Sequence, residues 1–310
     1  MYKLFLNLLV LNLGLTMIGC SGPAGRVVPV VAGGADGLEP LGDLDLYLYN
    51  LDSGEVQRLT RTPQVREYDP AIDPAGQRIV YIAERSDSGL DVPTYHLMIR
   101  ELKTGADREY TTYTNPIYRP AWSADGKKLA WYVKRDGRYE IQVRDMSTQR
   151  PAQDLGFGSD PTWGGKDSVL FYSDRDRPGQ GPSELCFRQM GSGVVNDLGL
   201  FGTGFVNGYR DFSLLYSSLP TSQMNEAIWR LDSNNAQTRL TDPGERARDL
   251  GPVWADGLRA VVFTRVEAST GRIKVMLLNP GTPEVGPIEL AVDGAEVVLT
   301  RGGRLIADRQ

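Results

Sequence analysis

The sequence predicts an all-β chain, a six-bladed β-propeller, on three observations. A proline-centred phrase recurs along it, an apolar strand follows each copy, and the two ends carry strand-like segments that complement each other. The phrase reads Asp69-Pro-Ala-Ile-Asp-Pro-Ala-Gly76, then Arg119-Pro-Ala-Trp-Ser-Ala-Asp-Gly126, Asp160-Pro-Thr-Trp-Gly-Gly165 and Gly251-Pro-Val-Trp-Ala-Asp-Gly257. Its prolines stand at 70, 120, 161 and 252, and the last gap, of 91 residues, has room for two repeats. A period of about 40–50 residues is that of a propeller blade.

Each copy leads into an apolar run: Ile79-Val-Tyr-Ile82, Leu129-Ala-Trp-Tyr-Val133, Val169-Leu-Phe-Tyr172 and Val261-Val-Phe263. The turn between is Asp-Gly or a close relative, residues that tolerate the backbone of a tight hairpin. Proline is acceptable at the head of the first strand, where no ladder donor is needed. The short strand carrying the phrase is therefore the innermost of a blade and the apolar run is its neighbour. Outer strands alternate in polarity, as in Tyr139-Glu-Ile-Gln-Val-Arg144 and Leu46-Tyr-Leu-Tyr49, the mark of a half-exposed strand. Two outer hairpins match internally, residues 51–60 with residues 231–241.

A fourth repeat lacks the phrase, but residues 205–208, 212–217, 228–231 and 237–240 supply four strands in the right place. The domain begins with outer-type strands over 44–60 and ends with inner-type segments at 295–300 and 304–308. One blade is thus expected to be completed by both termini, for six in all. Such closure hides sheet edges that would otherwise pair with other chains. Five blades plus a separate hairpin is the alternative count.

Residues 1–19 have a lysine at position 3 and then an apolar run, the build of a secretory signal. The run ends in Met17-Ile18-Gly19-Cys20, which resembles the bacterial lipoprotein box. The resemblance implies cleavage before Cys20 and a lipid on its thiol, and Ser21 after it implies delivery to the outer membrane of a two-membrane bacterium. Residues 20–40, rich in glycine and proline, read as a flexible tether. The segment 27–31 could add an edge strand. Residues 41–310 are then the propeller. With Cys20 lipidated, Cys186 is left as the other cysteine, so no intramolecular disulfide is expected.

The formal charge is −5, and removal of residues 1–19 with their one lysine takes it to −6. Binding to nucleic acid rests on concentrated Lys and Arg, and here basic and acidic residues are interspersed. Nucleic acid is accordingly excluded as a partner. Catalytic motifs are sparse. The one histidine, His96, lies in a strand-like segment and is read as structural, and a multi-histidine metal site is ruled out. There is no Gly-x-Ser-x-Gly elbow. Cys186 sits between Leu185 and Phe187, the setting of a buried small hydrophobe. The acids at 43, 45, 174 and 176 do not have calcium-loop spacing, and Gly202-Thr-Gly204 lacks the rest of a dinucleotide loop. No catalytic residue, metal site or cofactor is assigned.

The recurring proline, alanine, tryptophan, serine and Asp-Gly pattern, fullest over 119–132, resembles the TolB-type propeller repeats. The resemblance covers nearly all of 41–308. It implies a periplasmic binding role with envelope partners, and where TolB carries an α/β domain before its propeller this chain is expected to carry only the tether. One fold hosts many activities, so the resemblance specifies architecture more than function. The loops entering the inner strands and those between second and third strands open on one face. The candidate binding face there consists of Glu67, Tyr68, Tyr118, Arg119, Lys134, Arg135, Asp160, Arg175, Arg248 and Asp249, a blend of aromatic and arginine typical of interfaces. The chain is thus read as a lipid-anchored envelope protein that binds a protein or polymer and is not an enzyme. A propeller enzyme acting on glycans or peptides is the alternative.

Overall fold

The computed structural model describes residues 27–33, 44–50, 56–86, 92–164, 169–174, 184–201, 203–208, 214–218, 226–232, 234, 236–255, 260–267, 269, 273–289, 295–299 and 305–309. Four antiparallel four-stranded sheets follow one another along the chain. The first holds β8 (Ile117–Trp122), β9 (Lys128–Arg135), β10 (Arg138–Asp145) and β11 (Gln153–Phe157). The second holds β12 (Ser159–Gly164), β13 (Val169–Asp174), β14 (Glu184–Gln189) and β15 (Val195–Phe201). The third holds β16 (Thr203–Gly208), β17 (Leu214–Ser218), β18 (Ala227–Leu231) and β19 (Gln237–Arg239). The fourth holds β20 (Ala247–Ala255), β21 (Ala260–Glu267), β22 (Ile273–Leu278) and β23 (Ile288–Glu289).

A fifth meander, β4 (Val65–Ile72), β5 (Arg78–Arg85), β6 (Thr94–Glu101) and β7 (Asp107–Tyr113), belongs to a nine-stranded sheet. The rest of that sheet comes from both ends of the chain: β1 (Val27–Gly33), β2 (Leu44–Asn50), β3 (Val56–Arg58), β24 (Ala295–Leu299) and β25 (Leu305–Arg309). Here the architecture departs from the expected six separate blades. A parallel pairing at Leu44 and Arg66 carries hydrogen bonding from β2 into β4, across the expected boundary between two blades. β25 pairs in parallel with β1 at Val31 and Ile306. The segment expected to add an edge strand at 27–31 forms the longer β1, paired antiparallel with β2 along its length.

Side-chain alternation explains why the sheets stack face to face. In β5, Ile79, Tyr81 and Ala83 join the core facing Leu46, while Val80 and Ile82 join the core facing β8 and β9. In β9, Leu129, Trp131 and Val133 meet that second core and Ala130 and Tyr132 the next one, with Trp163, Leu170 and Cys186. Further along, Leu185 packs with Leu214 and Tyr216, and Leu215 with Val261 and Phe263. Successive side chains of a strand point to opposite faces, so a strand buried on both sides reads as a continuous apolar run. That is the form of 79–82 and 129–133 in the sequence.

The tryptophans of the phrase act between sheets. The Trp122 indole N–H donates to the Ala71 carbonyl at 3.2 Å, and that of Trp163 donates to Ala121 at 3.0 Å. Arg78 lies 4.6 Å from the Trp122 ring centre and Lys128 5.5 Å from that of Trp163. One tryptophan contact is therefore repeated from one sheet to the next, and cations over indole faces add to it. Between β11 and β12 the chain passes Gly158 at φ 151°, where an added Cβ would lie 2.6 Å from Tyr172 Cδ2 and 2.7 Å from Ile141 Cδ1. Gly158→Ala is expected to lower unfolding stability by about 1–3 kcal/mol through overpacking, read from the midpoint of a urea melt.

Candidate functional site

Each inner strand that carries the phrase breaks its register there, and β16, which lacks the phrase, slips likewise between Gly204 and Asn207. The ladder slips between Tyr68 and Ala71, between Tyr118 and Ala121, between Ser159 and Thr162, and between Leu250 and Val253. The residue before each proline has positive φ: Asp69 at 52°, Arg119 at 47°, Asp160 at 55° and Gly251 at 59°. Proline has no N–H to give the ladder, and a bulge re-aims the side chain that it frees. Asp69, Arg119 and Asp160 are consequently turned out of the normal alternation.

These three residues meet. The Arg119 backbone N–H donates to Asp69 Oδ2 at 2.8 Å, and the Arg119 guanidinium lies 2.6 Å from Asp160 Oδ1. All three residues are buried. A line of polar contacts, one backbone hydrogen bond and one ion pair, thus crosses three successive inner strands, β4, β8 and β12. A buried pair of this kind is costly to break from one side, because the remaining charge stays out of water.

Beside the line runs a tyrosine cluster. The Tyr118 ring centre is 6.4 Å from Tyr68, 5.3 Å from Tyr132 and 6.5 Å from Tyr139, and Tyr132 meets Tyr139 edge-on at 5.2 Å. Burial pushes the Tyr118 hydroxyl up to about 12, with Tyr139 adding to it. Burial, with Asp160 beside it, raises the Tyr132 hydroxyl well above the usual phenol range. Both phenols stay neutral through the physiological range. The Lys134 ammonium stands 5.9 Å from the Tyr139 ring centre, and Arg135 pairs with Glu140 at 2.6 Å and Asp154 at 3.5 Å.

The predicted face divides in two. Half-buried Tyr118, Lys134 and Arg135 and exposed Arg248 remain accessible. Glu67, Tyr68, Arg119, Asp160 and Asp249, expected on the same open face, are buried: the positive φ before proline turns Arg119 and Asp160 toward each other, and Tyr68 joins the core between sheets. Asp249 is held by the Arg265 guanidinium through two bonds of 2.7 and 2.8 Å. Arg175 and Cys20 lie outside the described residues. Asp69 and Tyr139 complete the site without having been singled out. Asp69 shares its place in the phrase with Arg119 and Asp160, and Tyr139 opens the alternating strand 139–144, so both were signalled.

His96 sits on β6 with Nε2 2.9 Å from Thr94 Oγ1 and Nδ1 3.0 Å from Glu109 Oε2. Cys186 is fully buried. Among the described residues no group of three or more His, Cys, Asp or Glu side chains is placed to hold a metal ion.

Comparison with known proteins places this geometry. TolB from Acinetobacter baumannii superposes with a TM-score of 0.66 at 19% identity, covering 83% of this chain and 62% of that one. The fold is a TolB-type propeller. A TolB structure from Agrobacterium tumefaciens superposes with a TM-score of 0.60 at 15% identity, covering 86% of this chain and 88% of the other. Acylaminoacyl peptidase from Pyrococcus horikoshii superposes with a TM-score of 0.58 at 15% identity, over 88% of this chain and 45% of that protein. In sequence, 100 residues, 31% of the chain, are 33% identical to the uncharacterized peptidase YuxL of Bacillus subtilis (strain 168). The match spans 15% of that relative's length. No protein-family profile matches the chain.

The peptidase relative and the peptidase propeller correct the expectation that the chain is not an enzyme. The absence of a recognisable catalytic motif in the sequence did not justify that exclusion, since peptidases use propellers of this kind. Asp69→Ala removes the acceptor of a buried N–H and puts alanine at a positive φ. It is expected to cost about 1–3 kcal/mol in thermal or urea unfolding, with Asp69→Asn, which tolerates that backbone and keeps an acceptor, costing less.

Proposed function

We propose that the chain is an exported, lipid-anchored propeller of six blades, the sixth completed by both termini, that binds a protein or an envelope polymer. Residues 1–19 act as the signal, Cys20 carries the lipid, residues 20–40 tether, and residues 41–310 bind. The observation that carries the binding role is the tyrosine cluster at Tyr118 and Tyr139, flanked by Lys134 and Arg135 and backed by the buried Arg119–Asp160 pair. Tyrosine and arginine on a rigid support are what interface hot spots are made of. The TolB-type fold supports an envelope setting, and pairing of β25 with β1 supports the shared sixth blade.

A second reading, a propeller that handles peptides for hydrolysis, is favoured by the 33% identity with the B. subtilis peptidase and by the P. horikoshii fold match. The same face would then hold peptide substrate.

Two measurements test the first reading. Cys20→Ala is expected to abolish incorporation of labelled palmitate and to move the protein from the membrane to the soluble fraction. Capture of a partner from envelope extracts by the lipidated protein should fall at least tenfold in a Lys134→Glu/Arg135→Glu double variant whose melting temperature is unchanged. Undiminished capture would refute the face. Hydrolysis of a peptide library by the wild type, lost on altering that face, would favour the second reading.

A further inference from the structure

The molecule contains the same strand junction twice. At one, Leu46 N donates to Thr60 Oγ1 at 2.8 Å and Leu59 N to the Leu46 carbonyl at 2.7 Å. At the other, Ile228 N donates to Thr241 Oγ1 at 2.9 Å and Leu240 N to the Ile228 carbonyl at 2.8 Å. The arginine next to each leucine also bonds alike, Arg58 Nε to the Thr60 carbonyl and Arg239 Nε to that of Thr241. In each case the following inner strand places a buried acid two residues before the pre-proline position: Glu67 in β4 and Asp249 in β20.

The two acids are compensated differently. Asp249 stands opposite Arg265 on β21 and takes its guanidinium bidentately. Glu67 stands opposite Ala83 on β5. Where the second junction has Ala227, the first has a second buried acid, Asp45, whose ion pair is with Arg58. Glu67 is 2% exposed, and its Oε2 has no hydrogen-bond donor. The Thr60 and Thr62 hydroxyls reach the carboxyl, and among the described residues no ion pair to it is formed.

We propose that the seam between β2 and β4 is a proton-operated latch: Glu67 holds the strands contributed by the chain ends when it is protonated, and its ionisation loosens them. The seam is where the terminal strands β1, β2, β3, β24 and β25 join the meander of β4 to β7. A carboxylate formed there is desolvated and faces Asp45, both of which oppose ionisation.

The remaining ionisable neighbours do not take over the role. On β5 the Tyr81 hydroxyl, bonded to Asp107 of β7, is pushed far up by burial, and Asp107 is paired with Arg100 of β6. On β6 His96, in register with Ala83, is engaged by Thr94 and Glu109. On β8 Arg119 is held by Asp160, and Asp69 of β4 accepts the Arg119 N–H. β1 has the sequence VVPVVAG and brings no ionisable side chain.

Burial, with Asp45 contributing, raises the Glu67 carboxyl from 4.5 to about 7. A raised acid binds its proton more tightly in the closed state than in the open one. The closed state therefore weakens as pH climbs from 4.5 toward 7, and the loss levels off above 7. Between pH 6 and pH 8 the opening constant should rise about tenfold.

Amide hydrogen exchange of the full chain at pH 6 and pH 8, corrected for intrinsic rates, tests this. The protection factors of residues 44–50 should fall about tenfold while those of residues 227–231, at the cation-compensated junction, stay level. In Glu67→Gln the pH effect on 44–50 should vanish. Equal protection at the two pH values in the wild type would overturn the latch, as would a fall that persists in Glu67→Gln.

Discussion

The structure depends on one backbone constraint, a residue at positive φ immediately before proline in the innermost strand of a sheet. Proline withholds a ladder donor where the strand already slips by a bulge, and β16 slips at the corresponding place without one. The slip occurs at Pro70, Pro120, Pro161 and Pro252, and the residue before each has φ between 47° and 59°. In three of the four the side chain leaves the alternation and bonds to a neighbouring inner strand. Asp69, Arg119 and Asp160 consequently pin three inner strands to one another. The tryptophan two residues beyond the proline, at 122 and 163, adds a neutral hydrogen bond to the previous sheet.

The same constraint shapes the candidate site. Because Arg119 spends its guanidinium on Asp160 and its N–H on Asp69, it is a support and not a contact for an external ligand. Tyr118 and Tyr132 alongside it retain neutral hydroxyls, while Lys134 and Arg135 end β9 just before the hairpin to β10. An aromatic shelf packed ring against ring, with Arg135 tied to Glu140 and Asp154 at its rim, loses little conformational freedom on binding, which favours recognition. The Lys134 ammonium stands 5.9 Å from the Tyr139 ring centre, so this cation too is partly ordered in advance.

Much of the architecture is legible in the sequence because its periods are strong. Runs such as 129–133 are buried on both faces and read directly as central strands, and the repeated phrase marks the strand before each. The degenerate repeat at 203–239 is recognisable from spacing alone. What sequence does not reveal is direction. Arg119 and Asp160 look like exposed loop charges beside an aromatic, yet a positive φ buries them, and nothing in the residue names discloses that angle. The continuity of β2 with β4 is equally hidden, since a single parallel pairing at Leu44 and Arg66 leaves no pattern in the chain. Nor does the sequence distinguish Glu67 from Asp249 until the register shows which of them faces a guanidinium.

The pre-proline bulges lock neighbouring sheets through the Arg119–Asp160 pair. A double-mutant cycle with Arg119→Met and Asp160→Leu, measured by urea unfolding, reads out this lock. The two single losses should exceed the double loss by a coupling on the order of 2 kcal/mol or more, because each single variant strands a buried charge. Additivity of the two substitutions within about 0.5 kcal/mol would contradict the claim.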